Sequence, residues 1–123
     1  MLLVDTSVWS DHLRGHDSAM AWHLEAGDVL THPFVIGELA CGFFPRRAET
    51  LASLRKLPAA PLLALAEVLG FIERHALAGR GVGFVDIHLL AAARVSGAAV
   101  WTRDKRLAAA AAALGCLHRP RAH

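Results

Sequence analysis

The sequence has few cysteines, no long apolar run and little excess charge. Its two cysteines, Cys41 and Cys116, lack metal-binding spacing, so we expect buried, reduced thiols in a cytoplasmic protein. One of the longest apolar runs, at 107–114, is mostly alanine and is much shorter than the roughly 18 residues that a membrane span needs. No basic region precedes the apolar N-terminal residues, which predicts that the chain carries no secretory signal.

Aliphatic residues are abundant: 54% of the 123 residues are hydrophobic and 20% are charged. This composition argues against intrinsic disorder, and the length suffices for one core without disulfide or metal support. We therefore expect a single domain over residues 1–123, too small for a TIM barrel. The net charge of +2 does not by itself indicate nucleic-acid binding. The C-terminal third nevertheless carries several basic residues: Arg94, Arg103, Lys105, Arg106, Arg119 and Arg121.

Short apolar runs alternate with helical patterns along the chain. The runs at 1–5, 29–31 and 98–102 are predicted strands, and 116–118 is a possible last one; periodicity alone would also allow a helix at 1–5. Predicted helices occupy the segments between them: from Thr6 or Ser7 to Gly15, and over 18–26, 33–44, 46–56, 63–77, 86–96 and 103–114. This order favours an α/β fold, a three-layer α/β/α sandwich with a central parallel sheet.

Four acidic residues occupy informative positions. Asp5 ends the first predicted strand and Asp104 follows the strand at 98–102, at the carboxyl edge where open α/β sheets bind ligands. Asp86 opens a predicted helix, where it could instead be an N-cap. Glu38 is the only charged residue in the apolar helix at 33–44, which we expect to be buried. A buried carboxylate needs a partner or a metal, unless that helix face is open to water.

These acids predict a particular chemistry if the fold brings them together. Converging carboxylates repel one another, so pKa values rise unless a cation is bound. Hard divalent ions such as Mg²⁺ or Mn²⁺ prefer oxygen ligands. One or two such ions can activate a water and stabilise the leaving oxygen of a phosphodiester. The expected reaction is therefore metal-assisted phosphodiester hydrolysis.

The segments around the acids resemble the PIN domain family and, within it, the VapC-type toxins. The matching segments are MLLVDTSVW at 1–9, IGEL at 36–39, FVDIHLLAAA at 84–93 and WTRDKRL at 101–107. Together they extend over essentially the whole chain. The resemblance implies a three-layer fold that binds Mg²⁺ or Mn²⁺ and cleaves RNA, whether tRNA, rRNA or mRNA. It also implies a homodimer that is neutralised by a small VapB-type antitoxin.

The resemblance further assigns roles to individual residues. It implies that Asp5 and Asp86 are the main metal ligands and that Glu38 and Asp104 complete the catalytic cluster. Thr102 is expected to support the cluster by hydrogen bonding, and Thr6 is a second supporting candidate.

Basic residues near the acids are candidates for contact with the RNA backbone. They are Arg80 in the glycine loop at 79–83 and, around Asp104, Arg103, Lys105 and Arg106. The alternative for each is a solvated position on the surface. The glycine loop is not a dinucleotide cradle, because a helix rather than a strand precedes it.

Other residues and other classes of protein need weighing too. His88, two residues after Asp86 on a helix, points elsewhere and is not expected to be a ligand. Core packing is the first expectation for the aromatic residues, with base stacking or a partner groove as alternatives: Trp9, Trp22, Trp101, Phe43 and Phe44.

A receiver domain would need adjacent acids after the first strand and a lysine after the last, which are lacking. A catalytically silent interaction module on a PIN scaffold remains an alternative, and metal binding would discriminate the two.

Overall fold

The computed structural model describes residues 1–15 and 19–120, so the predicted helix start at Ser18 and the basic residue Arg121 lie outside the described residues. Within these segments, three strands form a parallel sheet in the order β2-β1-β3. They are β1 (Leu2–Val4), β2 (Val29–Leu30) and β3 (Ala99–Trp101). Leu2 pairs with Val29 on one side and with Ala99 on the other. The predicted parallel sheet is confirmed, with the first strand of the chain at its centre.

Each edge of the sheet is extended by a single parallel bridge. Ala59 pairs with Thr31 beyond β2, and Leu117 pairs with Val100 of β3. The second bridge is fixed by a hydrogen bond of 2.8 Å from the His118 amide to the Val100 carbonyl. The possible strand at 116–118 is thus reduced to one bridging residue.

The described segments contain seven helices: α1 (Thr6–Leu13), α2 (Ala19–Ala26), α3 (Pro33–Ala40), α4 (Arg47–Leu54), α5 (Leu65–Arg74), α6 (Phe84–Ser96) and α7 (Lys105–Ala113). Helices α6 and α7 pack against β3, and α5 packs against α6. Helix α1 contacts α3, which in turn contacts α4. This arrangement confirms the α/β sandwich. None of the described helices combines the length and the hydropathy that a membrane crossing requires.

Two apolar helices differ sharply in burial. In α6, every residue from Ile87 to Ala93 is buried, and its alanines allow close approach to the sheet. Helix α3 buries only Val35 and Leu39. The expectation of a buried helix over 33–44 is therefore wrong, because α3 ends at Ala40 and its other face is open to water.

The helix caps also differ from expectation. Asp5, rather than Thr6 or Ser7, is the N-cap of α1. Asp104 caps α7 in the same way. Asp86 is not a cap, because α6 begins two residues before it, at Phe84, and Gly83 is the N-cap. Two of the four acids thus hold helix N-termini and Asp86 does not.

Several side chains expected in the core are on the surface. Cys116 is buried, but Cys41 is exposed. Trp9 and Trp101 belong to the core, whereas Trp22 is 65% exposed and Phe43 is 98% exposed. The local sequence does not distinguish these positions, because exposure depends on which elements pack over them.

Candidate active site

Asp5 lies where the central strand β1 ends and α1 begins. Its Oδ1 accepts hydrogen bonds from the Ser7 amide at 3.0 Å, the Ser7 hydroxyl at 2.5 Å and the Val8 amide at 3.3 Å. The N-terminal dipole of α1 also favours a negative charge at this position. These bonds hold the buried side chain of Asp5 in one orientation.

Thr102 joins Asp5 to Asp104 across the edge of the sheet. Its hydroxyl donates to Asp5 Oδ2 at 2.5 Å and accepts a hydrogen bond from the Asp104 amide at 3.0 Å. Asp104 Oδ1 in turn accepts from the Arg106 and Leu107 amides at the start of α7. The parallel pairing of β1 with β3 brings these two acids to one edge, as the sequence predicts.

Glu38 approaches the same edge from α3. Its Oε1 accepts a hydrogen bond of 2.8 Å from the hydroxyl of Thr6, the first residue of α1. Glu38 is exposed, so the alternative of an open helix face is the one that the structure supports. The Thr6 bond nonetheless turns this carboxylate toward α1, and Thr6 contacts Glu38 rather than Asp5.

The pKa of Asp86 shows the electrostatic effect of the other three acids. Burial, and after it the negative charges of Asp5, Asp104 and Glu38, together raise the pKa of its carboxyl to about 6. The four side chains therefore form one electrostatic unit, which we call the acidic cluster. A cation bound there would favour the ionised form of Asp86.

The acidic cluster is not a closed metal cage. Among residues 1–15 and 19–120, no three His, Cys, Asp or Glu side chains are grouped closely enough to hold one ion. Asp5 and Asp104 each direct one oxygen to backbone amides. Mg²⁺ retains several waters and commonly uses only one or two carboxylates, and the donors here are all oxygens. The residues therefore fit a hydrated divalent cation by charge and by donor type.

The basic residues around the cluster have distinct environments. Arg103 Nε lies 2.6 Å from Asp11 Oδ2, an ion pair between the segment after β3 and α1. Arg106 lies against Gly81: a Cβ on that glycine, whose φ is +75°, would be 2.8 Å from Arg106 Nη1. Arg80 and Lys105 are exposed. The structure thus brings Arg106 against the glycine loop that precedes Asp86.

Two buried histidines lie close to one another. The ring of His88 contacts the rings of His32, Phe34 and Phe84, with centroids 4.6 to 6.4 Å apart. Burial and the neighbouring His88 lower the pKa of His32 to about 4. Burial also lowers the pKa of His88. His88 is therefore a buried residue whose ring packs among other rings.

Sequence reasoning missed the role of Ser7. Its hydroxyl donates to Asp5 and accepts a hydrogen bond of 3.0 Å from the Arg103 amide, which connects α1 to the segment after β3. The signal was present, since an Asp followed two residues later by a Ser is typical of a side-chain turn at a helix start.

The fold and the site together define a class of protein. A parallel sheet with packed helices carries four carboxylates that act on one another near its carboxyl edge. This is an α/β protein with an acidic site. The family model of the PIN domain matches residues 2–113. The chain belongs to the PIN domain family.

Particular relatives refine this assignment. Ribonuclease VapC32 of Mycobacterium tuberculosis, in two strains, is 47% identical over 116 residues, which are 94% of this chain and 94% of the relative. The similarity confirms the resemblance to VapC-type members of the family. The crystal structure of PAE2754 from Pyrobaculum aerophilum matches with a TM-score of 0.64 and 20% identity, over 89% of this chain and 83% of that one. That likeness shows a common fold.

Proposed function

We propose that this protein is an endoribonuclease that depends on Mg²⁺ or Mn²⁺, formed by a single PIN domain over residues 1–123. The observation that supports it best is the environment of Asp86, a half-buried carboxyl whose pKa is raised to about 6 by burial and by three nearby carboxylates. A core without function gains nothing from such repulsion. The similarity to a protein named as a ribonuclease supports RNA as the substrate.

Each acid has a proposed role in holding the cation. Asp5 and Asp86 are the direct ligands, and Glu38 and Asp104 bind directly or through water. A bound divalent cation supplies an activated water and stabilises the charge on the leaving oxygen. Thr102 and Ser7 orient the Asp5 carboxylate, and Thr6 orients that of Glu38.

Basic residues beside the cluster offset its negative charge. We propose that Arg80, Arg103, Lys105 and Arg106 contact the RNA backbone. Arg106 is positioned by its packing on Gly81, and Arg103 by its ion pair with Asp11. Such contacts hold the strand without reading its sequence.

Cleavage of total RNA tests this function. Purified wild type is compared with Asp5→Asn and Asp86→Asn, in Mn²⁺ and in EDTA, and Glu73→Gln on α5 serves as an exposed acid outside the cluster. We expect wild type and Glu73→Gln to cut at discrete sites only with Mn²⁺, and both cluster variants to lose cutting by at least about 100-fold. Equal cutting by wild type and the cluster variants would leave the interaction module as the better explanation.

The similarity to Ribonuclease VapC32 supports a cellular role as well. We propose that the protein is the toxin of a VapBC-type pair in the cytoplasm, neutralised by a VapB-type antitoxin. Its expression alone should arrest growth, and co-expression with the antitoxin should restore it. Asp86→Asn should be harmless under the same conditions. Growth arrest by the inactive variant would show that toxicity does not come from RNA cleavage.

We also propose a homodimer. Three leucines at and before α5 are each about half exposed: Leu62 at 53%, Leu65 at 59% and Leu69 at 49%. Apolar surface of this kind is typical of a protein contact. Sedimentation of wild type beside Leu65→Ser and Leu69→Ser tests the assignment, and a wild-type monomer would contradict it.

A further inference from the structure

A concave feature adjoins the acidic cluster between α1 and α3. It is an open pocket of about 180 Å³, and Thr6 and Glu38 are among the residues that line it. These two residues are joined by the hydrogen bond that turns Glu38 toward α1. The pocket and the cluster therefore have Glu38 in common, and a molecule held in the pocket lies beside this acid.

One face of α1 lines the pocket, from Thr6 beside Glu38 to Arg14 at the other end of the helix. Thr6, Ser10 and Arg14 all line it, at intervals of four residues, which is the spacing of side chains on one helix face. With a rise of 1.5 Å per residue, Thr6 and Arg14 are about 12 Å apart along the axis. The face thus presents two hydroxyls and then a guanidinium. Hydroxyls form hydrogen bonds with a base edge or a sugar, and a guanidinium binds a phosphate.

Phe43 forms part of the same lining, in the segment after α3. It is 98% exposed, the most exposed large hydrophobic side chain among the described residues. Phe44 and Pro45 follow it in the pocket wall. The phenyl ring of Phe43 contributes almost nothing to the core in this position. Exposed aromatic rings are the surfaces on which unstacked RNA bases bind.

We propose that this pocket is a nucleoside subsite, which binds the base of a nucleotide next to the cleaved phosphate, with Phe43 as the stacking ring and Arg14 as the contact to the neighbouring phosphate. The inference rests on the proposed ribonuclease function and adds sequence selectivity to it. The lining offers two hydroxyls and one cation to the polar groups of a nucleotide, and two phenyl rings with Leu13, Leu39 and Pro45 to the faces of its base; Glu38 adds a carboxylate. The small volume fits one planar ring system.

Cleavage of a randomised oligoribonucleotide pool, followed by sequencing of the products, tests the subsite. Phe43→Ala should lower kcat/KM by about 5- to 150-fold, the range found for loss of one stacked base. It should also weaken the base preference at one position beside the cut. Arg14→Gln should lower kcat/KM and flatten its dependence on salt concentration, because one phosphate contact is lost.

Two matched variants control for general effects. Trp22→Ala removes another exposed aromatic residue, 65% exposed, from α2, outside the pocket lining. Arg55→Gln removes an exposed arginine at the C-cap of α4, the position that Arg14 has in α1. Both should retain wild-type kcat/KM and base preference. Truncation of Phe43 removes no buried surface, so its variant should keep the wild-type melting temperature.

The possible results separate the subsite from the nuclease. If wild type cuts and Phe43→Ala cuts the same sequences with the same kcat/KM, the subsite is wrong and the nuclease stands. If Phe43→Ala instead loses only a co-purified protein partner, the pocket is a protein docking surface and the subsite is again wrong. If wild type cuts no RNA, the nuclease is wrong. The subsite is then judged by fluorescence anisotropy of the labelled pool, where equal affinity of wild type and Phe43→Ala overturns it.

Discussion

Two pairs of carboxylates in the acidic cluster are held in different ways. Asp5 and Asp104 cap α1 and α7, and each accepts hydrogen bonds from two backbone amides. Asp86 and Glu38 lie inside helices α6 and α3. Backbone amides stabilise the charge of the first pair, whereas burial and neighbouring negative charge raise the pKa of Asp86. The first pair therefore contributes to stability as well as to the site, and Asp86 contributes to the site at a cost to stability.

The largest effect should come from removing the buried cap. Asp5→Ala is expected to lower the free energy of unfolding by about 2–4 kcal/mol, because the cap and the charge-assisted bonds to Ser7 and Thr102 are lost together. Asp5→Asn should cost less, since an amide oxygen still caps the helix. Urea denaturation measures both. Equal losses for the two substitutions would mean that the carboxylate charge, and not the cap, stabilises this end of α1.

A divalent cation should stabilise the folded protein by a comparable amount. At about 100 times its dissociation constant, Mn²⁺ is expected to add about 2.7 kcal/mol, provided that it binds only the folded state. The gain should be lost in Asp86→Asn. Thermal melting with Mn²⁺ and with EDTA measures it, and Glu73→Gln is the control. A gain that persists in Asp86→Asn would place the bound ion elsewhere on the protein.

The exposed cap should matter less than the buried one. Asp104→Ala is expected to cost about 1 kcal/mol, because water can replace part of the lost bonding at an exposed helix start. Asp104→Asn should be close to wild type in stability and yet impaired in RNA cleavage. Urea denaturation and the cleavage assay together separate the two roles. If Asp104→Ala cost as much as Asp5→Ala, burial would not explain the difference between the caps.

A further effect is a change of stability with pH in the absence of metal. The folded state raises the pKa of Asp86 from 3.8 to about 6, so the folded protein binds this proton more tightly than the unfolded chain. The contribution of Asp86 to stability is therefore complete below pH 4 and is lost as the pH rises through 6. We expect Asp86→Asn to have a higher free energy of unfolding than wild type at pH 7 in EDTA. This difference should be smaller at pH 4. A difference between the two proteins that does not vary from pH 4 to 7 would contradict the raised pKa.

The sequence was most informative where a local pattern determines the structure. An apolar run that stops at an acid identified β1 with Asp5, and the same pattern placed Asp104 after β3. These features depend on neighbouring residues, and strand pairing then brings the two acids to one edge. The parallel sheet was predictable for the same reason.

The surroundings of Glu38 were not predictable in this way. The apolar run continues to Phe44, so its hydrophobicity favours a longer, buried helix, but the helix ends at Ala40 and Phe43 faces the solvent. Which face of α3 is covered depends on contacts with α1 and α4, distant segments whose packing no local pattern encodes. The Thr6–Glu38 bond and the adjoining pocket follow from that packing and were missed.

The bond from Thr102 to Asp5 joins residues that are 97 positions apart in the chain. The central strand β1 is synthesised before the other two strands, but one of its two neighbours, β3, is made only after α6. A nascent chain that has emerged from the ribosome only as far as α6 has neither the Thr102 hydroxyl nor Asp104. The cluster is therefore assembled only after the segment that follows β3 has been made, and chains that stop before it lack the machinery proposed for RNA cleavage.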